Sequence, residues 1–174
     1  MDLKSKIRRI SEFKGVVFWD ITPLLRDENA FREAVKKMAD HFRGKKADLV
    51  VSSEARGFIL GSAIAYELGL GFVPIRKKGK LPSRTMELTY QKEYEHDTIE
   101  IHADSIHHKE KVLLVDDLLA TGGTIKANAE LVEKLGGDIV GIGFLIELEY
   151  LHGRKMIGNQ YEVFSLLHFK TSDG

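Results

Sequence analysis

The stretch KVLLVDDLLATGGTIKAN, residues 111–128, decides the fold. Four apolar residues, VLLV (112–115), run straight into two adjacent acids, Asp116 and Asp117, and LLA then leads into Thr121-Gly122-Gly123-Thr124. A short apolar run bounded by turn signals reads as a buried strand. Beyond the glycines, TIKANAELVEKLGG (124–137) places Ile125, Ala129, Val132 and Leu135 in helical phase ahead of a Gly-Gly stop. Strand, Gly-containing loop and helix in that order form one unit of a parallel α/β sheet.

In such sheets ligands bind where strands give way to loops at their carboxyl ends. Gly122 and Gly123 allow positive φ and let backbone N–H groups approach an anion closely. Thr121 and Thr124 add hydroxyl donors, and the helix N-terminus offers free N–H groups and a favourable dipole. This half of the motif reads as a phosphate cradle over residues 120–124. Two carboxylates facing the same phosphate would repel it. One sugar's length away, they can accept hydrogen bonds from hydroxyls or help to hold Mg²⁺, which prefers hard oxygen ligands. A ribose 5-phosphate has the required shape. A Walker B strand also ends on acids but needs a G-x-x-x-x-G-K-[ST] loop, and none occurs. A receiver domain would place its acid pair near its start, whereas these acids stand late in the chain.

Working outward, residues 28–42 put Phe31, Ala34, Val35, Met38, Ala39 and Phe42 on one helical face, with Asp27 as N-cap. DLVVS (48–52) and FVPI (72–75) read as strands around a nearly all-apolar helix, FILGSAIAYELG (58–69), closed by Gly69 or Gly71. RKKGKLPSR, from Arg76, reads as a basic loop, and residues 85–101 alternate like an exposed hairpin. IVGIGFLIEL (139–148) and EVFSLLHF (162–169) supply the last strands. No linker or repeat divides the chain, so one α/β domain over 1–174 is expected.

Lys+Arg and Asp+Glu both number 26, which argues against a general electrostatic grip on nucleic acid or an anionic membrane. The chain has no cysteine, which excludes disulfides, thiolate zinc sites and Cys nucleophiles. Charges in MDLKSKIRRISEFKG break up any signal-peptide core, and no apolar run nears the ~20 residues of a membrane span. A cytoplasmic protein is the expectation. His102, His107 and His108 lie in what reads as a solvated connection rather than a metal site.

VLLVDDLLATGGT resembles the phosphoribosyl-pyrophosphate (PRPP) motif of the type I phosphoribosyltransferases. GVVFWDITPLL (15–25), EARGFILG (54–61), FVPIRKKGKLP (72–82), YQKEYEHDTIEIH (90–102) and the end of FLIELEYLHGR (144–154) resemble the adenine phosphoribosyltransferases in particular. The resemblance spans about residues 7–169. It implies a mostly parallel sheet flanked by helices, a small N-terminal hood (1–26) over the base, and a flexible hairpin lid (77–97). It implies the reaction adenine + PRPP ⇌ AMP + pyrophosphate, through a ribosyl cation-like state.

The same resemblance assigns residues. Ala120, Thr121, Gly122, Gly123 and Thr124 would hold the 5-phosphate, and Asp116 and Asp117 the ribose. Arg56, Arg76, Lys77 and Lys80 would hold pyrophosphate, while Lys78 stands at a variable position. Val17, Phe18, Trp19 and Leu118 would hold adenine, Phe18 and Leu118 by stacking and Val17 and Trp19 through backbone groups. Glu93, in the hairpin, would be the catalytic acid or base, with Glu95 its rival. Mg²⁺ would be held mainly by PRPP, near Asp116 and Asp117. A homodimer is implied, with GVVFW and EARGF as candidate contacts. Trp19 replaces a common basic residue; an exposed indole needs an apolar partner, which a neighbouring subunit would supply. Two rival functions stay in view: a phosphoribosyltransferase for xanthine or guanine, and a PRPP-sensing regulator that has lost catalysis. The regulator would need a DNA-binding segment, for which 174 residues leave no room.

Overall fold

The structure, a computed structural model, describes residues 1–13, 16–91 and 96–172. The chain begins with an antiparallel pair, β1 (Arg8–Phe13) and β2 (Val16–Asp20), which forms the hood. Asp20 turns the chain out of β2: its carboxylate accepts the Thr22 N–H and hydroxyl, both at 2.9 Å, and is also bound by Arg8. Pro23 then opens the short helix α1 (Thr22–Arg26).

Asp27 caps α2 (Glu28–Phe42) by accepting from the Asn29 and Ala30 amides, which is why this helix starts where the sequence places it. Its buried face is Ala30, Ala34, Val35, Met38, Ala39 and Phe42. Phe31, expected on that face, is only half-buried against the same core. Then come β3 (Leu49–Ser53), α3 (Arg56–Leu68), β4 (Gly71–Lys77), β5 (Thr85–Gln91) and β6 (His96–His102). The second half is β7 (Lys111–Leu119), α4 (Gly123–Lys134), β8 (Asp138–Leu148), α5 (Gly153–Ile157) and β9 (Val163–Phe169).

The main sheet has the order β5-β6-β4-β3-β7-β8-β9. The five strands from β4 to β9 run parallel, and β6 joins β4 antiparallel. Helices α2 and α3 cover one face, and α4 covers the other, with a separate apolar core under each. Strand order reverses at β3, which has β4 on one side and β7 on the other, so the crevice at the carboxyl ends of these three strands is the expected binding place.

Three expectations need correction. The acids do not follow a strand but lie within β7, which continues to Leu119. Arg76 and Lys77 belong to β4, not to a loop, because they pair with Glu100 and Ile99 of β6. The hairpin expected over residues 85–101 is present, β5 pairing with β6, but it is not exposed throughout: β6 joins β4, with Ile99, Glu100 and Ile101 buried and Met86, Leu88 and Tyr90 packed on the core.

Candidate active site

At the carboxyl ends of β3, β4 and β7 lies a cleft of about 430 Å³. Of the residues singled out in the sequence, its walls bring together Arg56, Arg76, Lys77, Asp116, Asp117, Leu118, Ala120 and Thr124, and Glu54 joins them. A small side pocket of about 60 Å³ is lined by the Gly-containing loop, Ala120 to Thr124. The turn there depends on Gly122, whose φ of +88° is left-handed and where a Cβ would meet the Gly153 carbonyl oxygen at 2.5 Å. Gly122 is the N-cap of α4 and supplies no capping side chain, so first-turn N–H groups remain for a ligand. Thr124 Oγ1 lies 3.3 Å from the Tyr90 hydroxyl of β5, which sets the lid strand beside the loop.

Asp116 is tightly held. Its Oδ1 accepts the Asp117 amide at 2.9 Å, and its Oδ2 accepts the Ser53 hydroxyl at 3.3 Å. Ser53 in turn accepts from Nδ2 of the fully buried Asn128 at 3.0 Å. Since the amide can only donate, the single hydroxyl proton of Ser53 is left to face Asp116. Burial raises the Asp116 carboxyl well above its usual range, and the Asp117 charge pushes the same way. Asp117 is likewise raised by burial, against the lowering pull of Arg56, whose Nη2 lies 2.8 Å from Oδ2.

The cleft cations Arg56, Arg76 and Lys77, and Lys80 beside them, each face a carboxylate. Arg56 pairs with Asp117, also donates to the Trp19 carbonyl at 3.2 Å, and sits 4.9 Å from the Phe18 ring centroid. It therefore ties the hood to the acid pair. Arg76 and Lys80 both bind Glu54, at 3.2 and 3.1 Å, and Lys77 lies 3.6 Å from Asp97. Lys78 points away, to Glu87 at 2.8 Å. Glu54 and Asp97 were not singled out in the sequence, where a lone carboxylate beside an arginine or in a polar hairpin carries no distinguishing pattern.

Val17, Phe18 and Leu118 are half-buried; Leu118 lines the cleft and Phe18 meets its wall at Arg56. Trp19 corrects the sequence reading: it is 3% exposed, packs 4.1 Å from Phe169 between ring centroids, and directs Nε1 to the Tyr150 hydroxyl at 3.4 Å. The indole needs no second subunit. Glu93 and Glu95 lie outside the described residues.

Comparison with known proteins agrees with this geometry. Residues 21–171 match the family model described as the phosphoribosyl transferase domain. Adenine phosphoribosyltransferase of Thermotoga neapolitana is 54% identical over 169 residues, covering 96% of this chain and 99% of its own. The crystal structure of adenine phosphoribosyltransferase from Thermoanaerobacter pseudethanolicus superposes with a TM-score of 0.92 at 48% identity, over 97% of this chain and 98% of the other. That of the Giardia lamblia enzyme complexed with 9-deazaadenine gives 0.93 at 37% identity, over 98% and 97%. The chain belongs to the phosphoribosyltransferase family and, within it, to the adenine phosphoribosyltransferases.

Proposed function

We propose that this enzyme transfers the phosphoribosyl group of PRPP to adenine, giving AMP and pyrophosphate, as a purine-salvage step. The observation that carries the reading is the order of groups across one cleft: phosphate loop, acid pair, then a basic cluster, with the hood aromatic Phe18 alongside. A 5-phosphate at Ala120–Thr124 puts ribose hydroxyls at Asp116 and Asp117 and the pyrophosphate toward Arg76, Lys77 and Lys80. Arg56 is near enough to exchange Asp117 for the leaving group.

Displacement at the anomeric carbon needs base, sugar and leaving group in line, with positive charge developing on the sugar. Asp116 and Asp117 lie where they can accept hydroxyl hydrogen bonds and steady that charge. The basic cluster serves the negative charge of the departing pyrophosphate. The purine would lie between Phe18 and Leu118, its edge read by backbone groups of Val17 and Trp19. Glu93 would move the proton at the purine once the lid closes and water is expelled.

The donor set suits a Mg²⁺ ion that takes most of its oxygens from PRPP. Asp116 and Asp117 are hard ligands side by side, but Asp117 is paired with Arg56, and among the described residues no group of three or more His, Cys, Asp or Glu side chains forms a metal cage. When bound, the ion would neutralise pyrophosphate charge. A homodimer is supported by Ile59 and Tyr66, two turns apart on α3 and 42% and 89% exposed. A cytoplasmic location is part of the same proposal; among the described residues no helix is long and apolar enough to cross a membrane.

The test is to incubate the protein with PRPP, Mg²⁺ and each of adenine, hypoxanthine, guanine and xanthine, and to assay nucleotide. Adenine should be converted, and the 6-oxopurines should be at least ~100-fold poorer, since a site that pairs with an amine leaves polar groups unsatisfied against a carbonyl. Comparable turnover of hypoxanthine or guanine would overturn the assignment.

A further inference from the structure

Three groups of the basic segment converge on Glu54. One of its oxygens, Oε2, accepts from Arg76 Nη2 at 3.2 Å and from Lys80 Nζ at 3.1 Å, while Oε1 accepts the Lys77 backbone N–H. The Glu54 side chain is 11% exposed, whereas those of Arg76 and Lys80 are 34% and 49% exposed, so the carboxylate lies beneath and the cations face solvent. Burial raises its carboxyl, but the Lys77 amide and the Lys80 and Arg76 side chains outweigh that and hold it below the usual range. Another carboxylate, the buried Glu100, pins the backbone of the same turn, accepting the Lys80 and Leu81 amides, both at 2.8 Å.

These contacts allow two roles of opposite sign. Glu54 could compete with pyrophosphate for the cations, or it could hold them in place for it. Burial decides between them. A competitor must release its cations when the anion arrives, and a desolvated carboxylate left without partners is costly. The ammonium of Lys80 spends one of three N–H donors on Glu54 and Arg76 has several N–H donors, so both can serve Glu54 and an anion together. Fixing two long side chains beforehand also removes rotamer entropy that binding would otherwise have to overcome.

We propose that Glu54 is a positioning residue for the pyrophosphate end of the substrate. It orders the Arg76 and Lys80 side chains in the free enzyme, and so sets affinity for pyrophosphate without affecting the purine end. The inference rests on the function proposed above.

The test is calorimetric titration of the full chain with magnesium pyrophosphate, together with KM values for PRPP and adenine, for the native protein, Glu54→Gln and Glu54→Asp. Glu54→Gln should weaken pyrophosphate binding and raise the PRPP KM by about 10-fold, the scale of losing a supporting shell in an ionic site. The adenine KM should stay within about twofold, and Glu54→Asp should recover part of the loss. In an Arg76→Met/Lys80→Met background, Glu54→Gln should add nothing, because the cations it acts through are gone. Unchanged pyrophosphate affinity would overturn the role, and tighter binding would make Glu54 a competitor instead. An equal rise in adenine KM, or a further loss in the double-variant background, would mean that the residue only supports the fold. Failure of the native protein to bind pyrophosphate would instead overturn the site assignment beneath the proposal.

Discussion

Replacing Gly57 with alanine tests how tightly the Asp116 carboxylate is held. Gly57 is the second residue of α3, and a Cβ there would lie 2.6 Å from Asp116 Oδ1, whereas ordinary contact begins at 3.4 Å. One of the two must therefore move by about 0.8 Å. Asp116 cannot swing aside freely, since Oδ1 holds the Asp117 amide and Oδ2 the Ser53–Asn128 chain. A shift near 1 Å at a reacting centre costs on the order of 10²-fold in rate, or about 2.7 kcal/mol in barrier. Global stability should change less: overpacking costs ~1–3 kcal/mol, and the helix propensity gained over glycine returns about 1. Steady-state AMP formation at saturating substrate, run beside thermal melts, should show kcat falling about 100-fold with a small change in Tm. Native kcat in the alanine variant, or loss of activity only in step with unfolding, would refute the reasoning.

Other outcomes follow from the same geometry. Thr124→Ala should weaken PRPP binding far more than adenine binding, whereas Asp116→Asn and Asp117→Asn should chiefly lower kcat; equal loss for both ligands in Thr124→Ala would make the loop structural. Glu93→Gln should keep substrate affinity and lose roughly 10²-fold in turnover, the scale of a lost general acid or base. If Glu95→Gln is the inactive variant instead, the acid is Glu95. Sedimentation at micromolar concentration should give a dimer that Tyr66→Asp disrupts, and an active native monomer would contradict this. Burial raises the Glu147 carboxyl, but bonds from Arg154 at 2.7 Å and from Ser165 hold it below 4.5. Its contribution is thus full above about pH 4.5 and is lost as pH falls through the depressed value. The stability gap between the native protein and Glu147→Gln should close in acid, and a constant gap in denaturant melts would contradict the pairing.

Local signals made much of this molecule legible. The start of α2 followed from Asp27, a cap that acts within three residues. The Gly loop and the acid pair meet at one cleft, and their closeness was legible because the motif is contained in nine positions, 116–124. What was missed depends on neighbours distant in sequence. Glu54 meets Lys77 and Lys80 because β3 lies beside β4, 23 and 26 residues away. Trp19 finds Tyr150 across 131 residues, so its burial could not be read from VVFWD. The strands β5 and β6 looked like an exposed hairpin because one side of each is polar, and only the pairing of β6 with β4 brings the other side onto the core. The five-residue α5 is too short to show a helical period, yet it backs the phosphate loop: a Cβ at Gly153 would lie 2.3 Å from the Ala120 carbonyl oxygen.

PRPP is expected to lie across the cleft in one direction, which a crystal structure of the protein with PRPP and Mg²⁺ would read. The 5-phosphate should accept N–H groups of the loop from Thr121 to Thr124, the ribose hydroxyls should meet Asp116 and Asp117, and the pyrophosphate should lie against Arg76, Lys77 and Lys80. A reversed substrate, with pyrophosphate in the loop and the 5-phosphate on the basic cluster, would overturn these assignments.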